Sequence, residues 1–97
     1  MLQIGVLQFT IEIPHANSLK DKRRVIKSMK ERLRRAFNIS IAETGQQDEW
    51  TTATLGAVMA GTDVAYINGA LDRILNTLND WRDASLADHQ LEIFSPS

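Results

Sequence analysis

Nine of the chain's eleven basic residues fall between positions 20 and 35. Lys20, Lys22, Arg23, Arg24, Lys27, Lys30, Arg32, Arg34 and Arg35 share that window with only Asp21 and Glu31, so it carries a formal charge of +7. The rest of the chain carries −8, and the total is −1. A local field of this kind recruits an anionic partner even when the net charge is near zero. Arginine forks grip phosphate oxygens in pairs, and lysines act as point charges. A merely solvated helix face would also favour Lys and Arg. Here, however, the like charges repel one another with few acids between them, a cost that a polyanion would relieve.

On a helical wheel with Ile26 at zero, the apolar residues cluster near zero. Lys20, Arg23, Arg24, Lys27, Arg34 and Arg35 occupy the adjoining flank and the outer surface, and are the candidate nucleic-acid-binding residues. Lys22 falls on the apolar side at the first turn and is expected to snorkel outward. The segment Thr51-Thr52-Ala53-Thr54-Leu55-Gly56-Ala57-Val58 lacks the aromatics of an RNA-recognition motif, and only Trp50 could stack a base there. Backbone contact with structured RNA through the helix is the stronger expectation. A helix–turn–helix is disfavoured because the basic helix lies between strands.

The other chemistry-bearing residues are sparse. His15 and His89 are the only histidines, far apart in sequence and without an evident third ligand, so a metal site is not expected. Glu43, Asp48 and Glu49 flank a turn and read as a solvated turn rather than an acid pair. The five glycines form no phosphate-binding loop. Zero Cys excludes disulfides, thiolate catalysis and sulfur-based metal sites. It also fits a reducing, cytoplasmic location. No cofactor is expected, and nothing in the sequence recommends catalysis.

The elements that must position the basic window follow from periodicity. Leu7, Phe9, Ile11 and Ile13 alternate with polar residues, the period of a half-buried strand. Leu2, Ile4 and Val6 lie in the opposite phase, which predicts a bulge near Gly5. Ser18 is the expected N-cap of a helix running to about Ala36, whose buried face is Leu19, Ile26, Met29, Leu33 and Phe37. A short strand around Ile39–Ala42, a turn at Gly45–Asp48 and a strand from Trp50 to Ala60 come next. Val64, Ile67, Leu71, Ile74, Leu78 and Trp81 then mark a second helix after Asp63, and Leu86–Phe94 a last strand. Ser95-Pro96-Ser97 reads as a frayed tail.

Strand, helix, strand, strand, helix, strand is the order of an α+β ferredoxin-like βαββαβ sandwich. Four antiparallel strands would carry both helices on one face, and the other face would show Gln8, Thr10, Ser40, Trp50, Thr52 and Thr54. With 97 residues and 10.9 kDa, one domain spanning 1–97 is expected. No apolar run approaches the ~20 residues of a membrane span. Residues 1–9 lack the flanks of a signal peptide.

Ser18-Leu19-Lys20-Asp21-Lys22-Arg23-Arg24-Val25, Phe37-Asn38-Ile39-Ser40-Ile41-Ala42-Glu43, Gln47-Asp48 and Trp50 together resemble the YlxP-like family of small bacterial proteins, a domain of unknown function. The resemblance runs from about Val6 through the second helix. It implies a ferredoxin-like fold and, through gene neighbourhood, an association with translation and ribosome maturation. It implies no catalytic residue. Two departures stand out: Gln46 where the family often has His or Tyr, and Thr51-Thr52-Ala53 where it often has Gln-Arg-Ala. The expected partner is therefore structured RNA or a ribosomal particle. The alternative is a protein-interaction module that uses the basic helix or dimerises through the open sheet.

Overall fold

A computed structural model describes residues 1–96 and orders them as β1 (Gln3–Glu12), α1 (Leu19–Ala36), β2 (Ser40–Gly45), β3 (Thr52–Gly61), α2 (Val64–Asn79) and β4 (Ser85–Phe94). Ser97, part of the predicted tail, lies outside the described residues. The strands form one antiparallel sheet in the order β2-β3-β1-β4, so the fold is ferredoxin-like.

Period-two patterning builds the sheet's inner face. Leu7, Phe9 and Ile11 of β1 and Ala53, Leu55, Ala57 and Met59 of β3 are buried side by side. Ile26, Met29 and Leu33 of α1 and Ile67, Leu71, Ile74 and Leu78 of α2 close over them. Each helix starts on a capping side chain, as the sequence indicates. Ser18 Oγ accepts from the Asp21 N–H at 3.1 Å, and Asp63 Oδ1 accepts from the Ala65 N–H at 2.9 Å. The Asp21 carboxylate reaches back to the Asn17 N–H at 3.0 Å, one residue before the usual capping-box partner.

The bulge expected near Gly5 is absent. The β1–β3 ladder runs without interruption from Gln3 opposite Gly61 to Glu12 opposite Thr52. Gly5 continues the inward row. A Cβ there would collide with Ile67 Cγ2 and lie 3.0 Å from Leu71 Cδ1, so the missing side chain is what lets α2 settle on the sheet. The apparent change of phase is the other face of the same strand. The irregularities fall elsewhere, at Thr10/Ile11 against β4 and at Glu43/Gly45 against β3.

The open face differs from expectation at one end. Gln8, Thr10, Thr54 and Ser40 lie on it, and Thr10 Oγ1 is hydrogen-bonded to Thr54 Oγ1 across the strands at 3.2 Å. Ile4, Val6, Val58 and Phe94 share this face and make its far end apolar. Trp50 belongs to the loop before β3 rather than to the ladder. Side chains cap both edge strands: Arg34 donates to Ile41 O, Gln47 to Glu43 O, and the Asp88 carboxylate accepts from the His89 N–H.

Candidate nucleic-acid interface

The cationic surface is built by α1, which holds nine of the eleven basic residues, and no strand of the sheet contains Lys or Arg. The buried stripe of Ile26, Met29 and Leu33 fixes the helix's rotation against the sheet. Basic residues spaced three or four apart are thereby turned toward the flank beside β2. Arg23, Lys27, Lys30 and Arg34 line an open groove of about 420 Å³ there, together with Ile26, Glu31 and Glu43. Arg34 spends one donor at 3.0 Å on Ile41 O, which ties the groove's wall to the edge strand.

The six residues singled out from sequence are not all brought together. Arg23, Lys27 and Arg34 share the groove. Lys20 and Arg35 are exposed near the two ends of the helix. Arg24 lies on the other flank, lining a separate cleft with His15, Asp21 and Asp83. Lys30, in the basic window but outside the six, belongs to the groove. Its wheel position between Ile26 and Arg23 was the available signal.

Lys22 overturns the expectation of an outward-snorkelling side chain. It is 1% exposed, and its Nζ donates to Gln46 O at 2.6 Å and Glu49 O at 2.7 Å while pairing with Glu43 Oε2 at 3.0 Å. These three acceptors match the three protons of an ammonium. Glu43 is therefore an ion-pair partner rather than part of a solvated turn, while Asp48 and Glu49 remain exposed. The pair had a signature: Lys22 sits at an apolar wheel position, and Glu43 falls in the same inward row of β2 as Ile41. Opposite charges at two inward positions satisfy each other more cheaply than either does alone.

Among the described residues Lys22–Glu43 is the only salt bridge. Lys20, Arg23, Arg24, Lys27, Lys30 and Arg35 make none. Arg32 stands over the Trp81 ring, 4.8 Å from its centroid, and so serves packing on the side away from the groove. No group of three or more His, Asp or Glu residues gathers as a metal site among the described residues. No described helix is long and apolar enough to cross a membrane.

Fold and surface together define a small ferredoxin-like α+β protein whose first helix faces outward with bases and is bound inward to the β2–β3 loop. The family model described as "Protein of unknown function (DUF503)" matches residues 4–91. The chain is also 35% identical over 72 residues to "Uncharacterized protein YlxP" of Bacillus subtilis (strain 168), covering 74% of this chain and 78% of that one. The chain belongs to the DUF503 family. The YlxP-like resemblance carried by the Ser18–Val25 and Gln47–Trp50 segments is thereby established. The structure supplies its physical link: Lys22 of the first segment holds the carbonyls of Gln46 and Glu49, which bracket Gln47 and Asp48.

Proposed function

We propose that this protein is a non-catalytic RNA-binding protein that docks through α1 on structured RNA, such as that of a ribosomal particle. The observation that carries this reading is the groove lined by Arg23, Lys27, Lys30 and Arg34, whose charges no carboxylate of the described chain pairs. Along a helix these positions recur about 5–6 Å apart, so one stretch of phosphate backbone meets them in turn. The sheet, with no base and with Glu12, Asp88 and Glu92 on its strands, would repel the same backbone.

Salt dependence and charge reversal test the reading together. With about four phosphate contacts, log affinity should fall against log salt with a slope near −3. Reversing Arg23, Lys27 and Lys30 to Glu should weaken binding to a structured RNA by at least about 100-fold and flatten that slope. Circular dichroism should be unchanged, because two of the three side chains are exposed and none is buried. RNA affinity in the variant equal to that of the parent would overturn the proposal.

A second reading rests on the apolar end of the open face. Leu2 and Val58 are 49% and 43% exposed, Phe94 is 41% exposed, and Ile4 and Val6 are half-buried beside them. A second copy would cover this face. Mass measured across a concentration series tests it. A dimer that Val58→Asp abolishes supports this reading, and a monomer at all concentrations removes it.

A further inference from the structure

The loop between β2 and β3 is held far more firmly than a connection between two strands requires. Gln46 is the one non-glycine residue with positive φ, 58°, among the described residues. Side-chain-bearing residues stay in that region only where their surroundings impose it. The imposing contact is Lys22, which bonds the Gln46 carbonyl at 2.6 Å and the Glu49 carbonyl at 2.7 Å. Burying an ammonium is unfavourable unless all its donors are met, and here they are met by fixing this loop. On the far side, the Thr51 carbonyl accepts from the Ile13 N–H at 2.7 Å. Trp50 therefore sits between two anchored carbonyls.

That anchored residue keeps a large apolar ring in water, with Trp50 54% exposed. Its backbone is linked to the groove through Lys22 and Glu43. Glu43 both pairs with Lys22 and lines the groove with Arg23 and Lys27. Glu49, held by the same ammonium, is Trp50's neighbour in sequence. An exposed indole on an anchored stretch of backbone, joined through Lys22 and Glu43 to a groove of Arg and Lys, combines the two elements that hold unpaired nucleotides: a charged track for the backbone and a flat face for a base.

We propose that Trp50 is a stacking platform for an unpaired nucleobase, so that the ligand is RNA carrying a single-stranded nucleotide next to the backbone gripped by Arg23, Lys27, Lys30 and Arg34. This rests on the RNA-binding reading above and deepens it. Lys22 acts as a positioning residue, setting the loop that presents the ring. Base–aromatic stacking is tolerant of sequence, because every base offers a π-face. The site therefore selects for unpaired structure rather than for a base identity.

The chain has two tryptophans, so Trp81→Phe leaves Trp50 as the sole reporter. The probes are an RNA hairpin with a short single-stranded uridine tail and the same hairpin with a blunt end. Trp50 fluorescence should be quenched by the tailed RNA and not by the blunt one. In the parent chain, Trp50→Ala should weaken binding of the tailed RNA about tenfold, leave the blunt hairpin unaffected and leave the melting curve unchanged, while Trp50→Phe keeps most of the affinity. Equal affinity of the parent for the two RNAs, or a Trp50→Ala variant that binds the tailed RNA like the parent, overturns the inference. If the triple reversal of Arg23, Lys27 and Lys30 still abolishes binding in that case, the stacking site alone has failed. If it does not, the RNA reading has failed with it.

Discussion

The two helices cover the same sheet and solve different problems. α2 buries Ile67, Ala70, Leu71, Ile74 and Leu78 and has no buried charge. Gly5 beneath it, and Gly61 with Ile67 Cδ1 3.1 Å from where a Cβ would stand, let it lie close to the strands. α1 buries Ile26, Met29 and Leu33, adds Lys22 to the same stripe and displays its bases on the flank. One helix is optimised for close packing. The other accepts a buried ammonium and unrelieved like-charge repulsion, both of which lower stability unless they serve a contact. In a domain this small the core has little stability to spare, and this difference is why we propose α1 and its attached loop as the functional side of the molecule.

The contrast can be broken on the packing side first. Leu71→Ala removes fully buried methyl groups where α2 meets Gly5. It should destabilise the domain by about 3–4 kcal/mol in urea denaturation. RNA affinity of the remaining folded protein should be unchanged. Lys22→Met should come next, at about 3 kcal/mol, because it strands Glu43 and two carbonyls. Unlike the first variant it should also raise amide exchange in residues 46–50, since the loop loses its anchor. Equal exchange there would show that the ammonium merely fills space.

Smaller effects sharpen the comparison. Gly5→Ala pushes a methyl group into Ile67 and should cost about 2 kcal/mol of stability. The same substitution should cost less in an Ile67→Ala background, where the Cγ2 atom it meets is gone, which thermal melts of the single and double variants would show. Arg32→Ala removes the cation over Trp81 and should cost no more than about 1 kcal/mol. Because Arg32 lies away from the groove, RNA affinity should hold in that variant despite the lost positive charge. A drop comparable to that produced by Lys27→Ala, which removes the same charge from within the groove, would mean that total charge, not the groove, governs binding.

Much of this was legible from local pattern. Ser18 and Asp63 announced their helices because an N-cap is satisfied within three residues of itself. The order of elements followed from periodicity, and the two helices settled on one face as that order requires. Gly5 misled because a glycine in a strand has two meanings, a bulge or a close approach. Only the partner across the gap, Ile67, distinguishes them. Of the six candidate bases, the helix flank collected Arg23, Lys27 and Arg34 and left Arg24 in a cleft with Asp21 and Asp83. Asp83 lies 59 positions away in sequence, beyond any wheel.

What residue order settles here is whatever depends on neighbours within a turn or a strand: element type, caps, the inward stripe and the concentration of charge in one helix. Tertiary structure decides which inward lysine meets which inward glutamate, which flank of the basic helix faces an edge strand, and that the carbonyls on either side of Trp50 are anchored. Those outcomes depend on backbone carbonyls and carboxylates brought together from 21 to 27 residues away from Lys22. Burial makes each of those contacts strong, and burial is a property only the assembled sheet and helices possess.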